Sequence, residues 1–367
     1  MNATISGQRH VIDPHIHQWD PFTTPRHATT MARLTRPIPR IPALAAHLAS
    51  RADREFLGDP HHALKPYLPN TYLCDTGEVS VSSVVHVEAA WVGADPLASV
   101  DETRWVAALP FGRGGAPALG AIVVHTDPRW PNADAILDAH LAASPLVRGV
   151  RQSAAHHPDR GVRDFADTPD LLSDPLFLDG FAAIAERGLT FELWLYAHQL
   201  PTAQRLVRSY PETVFVLDHY ATPVGLFGPR GYHTGRTGWE PAEMLARWRD
   251  DLAELAEYPN VVAKHSGLGM PLLGGVPRHP YGITTAAELT DRAAPLIQHL
   301  HDCFGTNRTM WASNYPMDKP GITIPASAHL LLEVLGSDAD PQQLFHDIAA
   351  RTYRITTAAR QPQSSPA

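Results

Sequence analysis

Two histidines, His15 and His17, stand two residues apart near the end of the strand-like run Val11-Ile12-Asp13-Pro14-His15-Ile16-His17-Gln18-Trp19. Alternate side chains of a β-strand leave the same face, so the two imidazoles project together. A pair so placed can hold one metal ion or grip one oxyanion. Other apolar runs end in groups of the same kind. Residues 190–198 put Glu192, Trp194, Tyr196 and His198 on one face, with His198 at the end. Residues 213–219 end in His219, on the face shared with Phe215 and Leu217. Residues 83–89 carry His86 and Glu88 together, residues 147–152 end in Arg151 and Gln152, and residues 260–266 put Lys264 and Ser266 on one face. Imidazoles can move protons near neutral pH, and cationic donors can stabilise an oxyanion.

These runs have to be brought to one place. Eight candidate strands can be read, at 11–19, 83–89, 120–126, 147–152, 190–198, 213–219, 260–266 and 309–313. Amphipathic helical patterns follow several of them, at 131–143, 174–187, 200–209, 241–257, 285–303, 327–335 and 341–353. Eight strands alternating with helices predict parallel βαβ units closed into a (β/α)8 TIM barrel. An open doubly wound sheet would need a Gly-rich phosphate turn after its first strand to bind a dinucleotide. The first strand here runs into His17-Gln18-Trp19-Asp20-Pro21 instead. Two long irregular segments, 20–78 after strand 1 and 222–239 after strand 6, start at strand C-termini, where barrels keep their active sites. The expected organisation is one barrel domain over 1–360 and a disordered tail at 361–367.

The chain of 367 residues is 44% hydrophobic and 19% charged, so a sizeable core is expected. A net charge of −8 argues against nucleic-acid binding. Cys74 and Cys303 are too few for a disulfide framework. No run approaches a membrane span and no apolar leader opens the chain, so a cytoplasmic protein without a membrane partner is expected.

The motifs also carry a resemblance. Ile12-Asp13-Pro14-His15-Ile16-His17-Gln18-Trp19, His86-Val87-Glu88-Ala89-Ala90-Trp91, Arg148-Gly149-Val150-Arg151-Gln152, Tyr196-Ala197-His198-Gln199-Leu200, Leu217-Asp218-His219, residues 259–268 and Ser313-Asn314-Tyr315-Pro316-Met317-Asp318-Lys319 occur in that order. Together the chain resembles the amidohydrolase-related hydrolases, near sugar-acid lactonases and pyrone-dicarboxylate lactonases. The resemblance implies a TIM barrel, hydrolytic chemistry on a small-molecule substrate, and a monomer or homodimer. In metal-using members the positions of His15 and His17 bind a divalent metal, usually zinc, that of His198 adds a ligand, and that of His219 assists.

The chain departs from the family at strand eight, where Asn314 stands in place of an aspartate that ligates the metal and takes a proton from water. A neutral amide cannot serve as a general base. Three remedies are open. His219 can be the base; Asp318 can reach the site if its loop folds back; or His15, His17 and Arg151 polarise the carbonyl with no metal present. Lys264, Glu88 and Tyr196 complete the expected substrate contacts, with Lys264 alternatively paired to Glu88 or Glu192. The expected function is the opening of a lactone or cyclic ester of a small polar or carboxylated molecule. The alternatives are a non-oxidative decarboxylase of the same superfamily and a catalytically inactive ligand-binding barrel.

Overall fold

A computed structural model gives the fold and describes residues 10–27, 29–36, 50–58, 63–237, 240–273 and 286–356. Eight parallel strands form one sheet, each paired with the next in sequence. They are β1 (Val11–Ile16), β2 (Val81–Val87), β3 (Ala118–His125), β4 (Val147–Arg151), β5 (Thr190–Leu193), β6 (Phe215–Leu217), β7 (Val261–His265) and β8 (Thr309–Trp311). The ring closes beyond β8, where the backbone N–H of His17 donates to the Tyr315 carbonyl at 2.8 Å. This is the expected (β/α)8 barrel.

The strands are buried on both faces, which explains their apolar runs. Ile12, Val85, Val87, Ala121, Val123, Val216 and Met310 form one interior cluster with Ile348, Ala349 and Tyr353 from the C-terminal segment. That segment closes the N-terminal end of the barrel: Arg354 donates to the carbonyl of Gly188, just ahead of β5, at 2.8 Å. The C-terminal end of the strands is left for the site.

Helices cover the outside. Between β1 and β2 lie α1 (Thr29–Thr35), α2 (Arg51–Leu57) and α3 (Pro69–Thr76). Then come α4 (Ser99–Ala107), α5 (Ala133–Ala143), α6 (Pro175–Gly180), α7 (Ala182–Glu186), α8 (Leu200–Ser209), α9 (Glu240–Ala256), α10 (Ala286–Phe304), α11 (Ile324–Leu335) and α12 (Ile348–Thr352). The stripe logic is plain in α8, which buries Leu200, Ala203, Leu206 and Val207 at helical spacing. None of the described helices is long and apolar enough to cross a membrane.

The structure corrects several sequence expectations. The segment 20–78 holds three short helices, although 37–49 and 59–62 lie outside the described residues. The helix α4 carries no clear apolar stripe and was not expected. The pattern at 174–187 divides into α6 and α7, the first opened by Asp174, whose side chain accepts from Leu176 N. Strands β5 and β6 end earlier than their apolar runs. Residues 238–239 of the strand-6 loop and the tail 361–367 lie outside the described residues.

The two loops after β4 and β6 are clasped together by one carboxylate. Asp159 accepts backbone N–H bonds from Gly161, Tyr232, His233 and Thr234 at 2.7 to 3.1 Å. The helix α2 joins this clasp, since Glu55 accepts from Gly231 N at 2.6 Å and Asp53 pairs with Arg163 at 2.6 Å.

Candidate active site

His15 is the next-to-last residue of β1, and its side chain is fully buried. Its Nε2 lies 3.2 Å from Nε2 of His17. The far nitrogen of each ring is anchored. His17 Nδ1 donates to the carbonyl of Val87 at 2.9 Å, and His15 Nδ1 faces Asp218 Oδ1 at 3.2 Å and Lys264 Nζ at 3.1 Å. Burial pushes both imidazoles well below their ordinary range, with neighbouring cations adding to the effect, so both are neutral near pH 7.

Arg151 ends β4. Glu88 holds its guanidinium through Nε at 2.8 Å and Nη2 at 2.7 Å, and the Glu88 carbonyl accepts a third bond from Nη2. Nη1 is left 3.4 Å from His15 Nε2. Burial works to raise the Glu88 carboxyl, but the Arg151 cation overrides it and holds the group down at about 2. The pair is therefore ionised across the ordinary pH range.

Beneath the histidines is a second ionic group. Lys264 Nζ reaches Glu192 Oε2 at 2.6 Å and Asp218 Oδ1 at 3.1 Å. Tyr353 donates to the other Glu192 oxygen at 2.6 Å. Burial pushes Glu192 up to about 8 against the pull of Lys264. Asp218 is held well below the carboxylate range because Lys264 and His15 overcome its burial.

His219 reaches the site through an unusual backbone. His219, Tyr220, Ala221 and Thr222 all have positive φ, at 54, 55, 55 and 38°. Such a run is strained for residues with a Cβ and marks a position over-determined by its surroundings. Gly267 accommodates it, since a Cβ there would lie 2.6 Å from the His219 Cβ. Nδ1 of His219 sits 2.8 Å from Ser266 Oγ, leaving Nε2 for the cavity. Burial, with Lys264 and Arg151 adding, lowers the ring to about 3.

The strand-eight position, Asn314, also has positive φ, at 52°. Its Nδ2 donates to Asp318 Oδ1 at 2.7 Å, and Gly269 N donates to Asp318 Oδ2 at 3.2 Å. The Asn314 Oδ1 is buried without a partner. The loop thus folds back as one of the three remedies required, and burial raises Asp318 to about 7.

These groups open into a cavity of about 520 Å³. His17, Glu88, Arg151, His219 and Asn314 line it, with Trp19, Trp91, Trp194, Phe56 and Phe165 as aromatic wall. Other expected residues fall elsewhere. His198 does not join the histidines: β5 ends at Leu193, and His198 sits exposed on a short turn against His157 and Tyr196. Tyr196 is buried away from the cavity, donating to the Arg163 carbonyl at 2.5 Å. Lys264 has no exposed surface and pairs with Glu192 and Asp218, not with a substrate. Nor do His86 and Glu88 act together, because His86 turns toward Glu102 of α4 at 3.4 Å. His265 packs on the helix side, 3.0 Å from Tyr220 Oη. Asp318 lies behind Asn314 and does not line the cavity.

Asp218 is the residue missed from the sequence. Its signal was available: alternation from Val216, an interior residue, puts Asp218 inward and His219 outward. Only the left-handed backbone at His219 restores the imidazole to the site.

The full span of the barrel matches a known group. Residues 12–355 match the family described as Amidohydrolase. The chain belongs to the amidohydrolase family. It is similar to the uncharacterized protein y4mH of Sinorhizobium fredii, 29% identical over 347 residues that cover 94% of this chain and 98% of that protein. It is also similar to an L-fucono-1,5-lactonase of Burkholderia ambifaria, 28% identical over 203 residues, with the match spanning 55% of this chain and 57% of that enzyme. Among solved structures, a zinc-bound amidohydrolase of Burkholderia multivorans has the same fold, with a TM-score of 0.66 and 21% identity over 94% of this chain and 99% of that one.

The family implies a divalent metal, and the donor set fits one. Ligand atoms of His15, Asp218 and His219 all lie within 4.8 Å of one another, and His17 Nε2 lies 3.2 Å from His15 Nε2. Two Zn–N bonds of about 2.1 Å at a tetrahedral angle put their nitrogens roughly 3.4 Å apart, near the 3.2 Å of the observed pair. The distal nitrogens rest on a carbonyl and a carboxylate, the usual support for ligating imidazoles. Asp218 Oδ2 is also buried and without a hydrogen bond.

Proposed function

We propose that this protein hydrolyses a lactone or related cyclic ester of a small polar molecule. The observation that carries the reading is Arg151, a permanently charged guanidinium fixed by Glu88 with Nη1 left toward the histidines and the cavity. Such a donor suits a carbonyl oxygen that gains charge as water attacks. Removing a preorganised donor of this kind typically costs about 10²–10³ in rate. The partial match to a lactonase supports the choice of bond.

His219 is the base by geometry, since it lines the cavity and Asp318 does not. Neutral at pH 7, it takes the proton of the attacking water as the new C–O bond forms. With its acidity raised by burial, it gives that proton readily to the departing alkoxide, which becomes the product hydroxyl. Asn314, oriented by Asp318, offers an unpartnered carbonyl oxygen to water or to a substrate hydroxyl. His15, His17 and Asp218 would hold a divalent metal, which when bound would polarise a carbonyl and acidify water, with His219 Nε2 left free as the base.

The test is turnover of a panel of aldono- and carboxylate-bearing aldaro-1,4- and 1,5-lactones by the purified protein, with and without added zinc. Arg151→Met should lower kcat about 10²-fold or more. His219→Ala and His219→Asn should both lose most turnover. Normal turnover in both His219 variants would remove it as the base, and no turnover anywhere on the panel would remove the lactone reading.

A further inference from the structure

The cavity holds a cation that the reaction above does not use. Arg26, in the loop between β1 and α1, lines the cavity and lies with its guanidinium 4.9 Å from the centre of the Trp19 indole. Among the described residues, that guanidinium forms no ion pair and no hydrogen bond. The other two guanidiniums in the lining are committed, Arg151 to Glu88 and Arg163 to Asp53. The two carboxylates whose charge Arg26 feels are committed as well. Glu88 holds Arg151, and Glu102 accepts from Ala89 N at 2.7 Å.

The shelf beneath Arg26 is fixed on several sides. Trp19 donates through Nε1 to the Lys65 carbonyl at 2.9 Å, and its backbone exchanges two bonds with Tyr67. Arg26 N donates to Thr29 Oγ1 at 2.8 Å, while Val92 N ties the neighbouring Pro25 carbonyl at 2.9 Å. A guanidinium that is partly withdrawn from water, rigidly mounted and unpaired is costly unless something anionic meets it. Burial accordingly depresses its proton affinity.

We infer that Arg26, stacked on Trp19, is the subsite for a carboxylate carried by the substrate. The inference takes the bond broken from the proposed function, while the bound charge is independent of it. A planar guanidinium can meet a carboxylate with two parallel bonds, which a lysine cannot do. The subsite therefore selects lactones that bear an acid group over neutral sugar lactones.

The experiment uses the full-length protein and a matched pair of unreactive probes, tetrahydrofuran-2-carboxylate and its methyl ester, with affinities read by ligand-observed NMR. The wild type should prefer the acid by about 10- to 100-fold, the range of one charge-assisted contact. In Arg26→Met the ratio should fall to near one, and Arg26→Lys should keep part of it. The inference is overturned by a wild type without preference, by an unchanged ratio in Arg26→Met, or by a ratio that collapses in Arg163→Met alone. If Arg26→Met does not fold, the wild-type ratio and Arg26→Lys decide. An intact acid preference with no lactone turnover sinks the hydrolytic reading and leaves this one standing.

Discussion

At the scale of single residues, Asn314 stands where the family resemblance implies an aspartate, and Asp318 lies behind it, four residues on in the same loop. This carboxylate lies back from the cavity and bonds the amide. Ionised, Asp318 accepts from Asn314 Nδ2, which fixes the amide with Oδ1 free. Protonated, Asp318 can donate to Oδ1, and the amide can then turn its NH2 group to the cavity. Burial raises Asp318 to about 7, so the two arrangements exchange near neutrality. We expect kcat to fall on the acid side with an apparent pKa near 7. In Asp318→Asn that limb should vanish, with kcat lowered at every pH and KM changed less. A pH–rate profile that keeps the same limb in Asp318→Asn would show that another group sets it.

At the scale of elements, the site is held by loops that one carboxylate binds together. Asp159 takes four backbone N–H groups, three of them from residues 232–234. Replacing it with alanine strands these donors, at a cost of about 2–4 kcal/mol by the usual worth of charged hydrogen bonds. Urea unfolding of Asp159→Ala should show that loss. Limited proteolysis should cut first in the β6–α9 loop, and a wild-type cleavage pattern would argue against the clasp. The elements also show what was legible in the sequence. Strand number and order followed from apolar runs, because burial on both faces writes a clear signal. Strand ends did not, because the apolar run at 190–198 continues past the last sheet bond at Leu193. That overrun misplaced His198. Alternation misread His219 for a different reason: four left-handed residues reverse the direction of the side chain, and no local pattern of residue types announces such a run. The return of Asp318 depends on Gly269 N, a long-range contact invisible to any window of sequence.

At the scale of the whole molecule, packing so many ionisable groups inside one barrel makes stability depend on pH in two opposing ways. Burial keeps His15, His17, His219 and His265 neutral in the fold, while their unfolded forms take protons below about 6.5. The unfolded state then binds more protons, so each contributes a loss of roughly 1.4 kcal/mol per pH unit as pH falls. Asp318 and Glu192 act in the other sense. Their folded values, about 7 and about 8, lie above the unfolded values, so they add stability in acid that is lost as pH rises through the folded values. These four histidines outweigh the two carboxyls between pH 6 and 5, a net loss on the order of 2–3 kcal/mol per unit, and His140 and His157, both lowered to about 4 by burial, add to it in the same direction. Urea midpoints should therefore drop steeply from pH 6 to pH 5 and change little between pH 6.5 and 7. His265, which lies outside the cavity, isolates the effect: His265→Gln should reduce the acid slope by roughly 1 kcal/mol per pH unit, and an unaltered slope would place the proton uptake elsewhere.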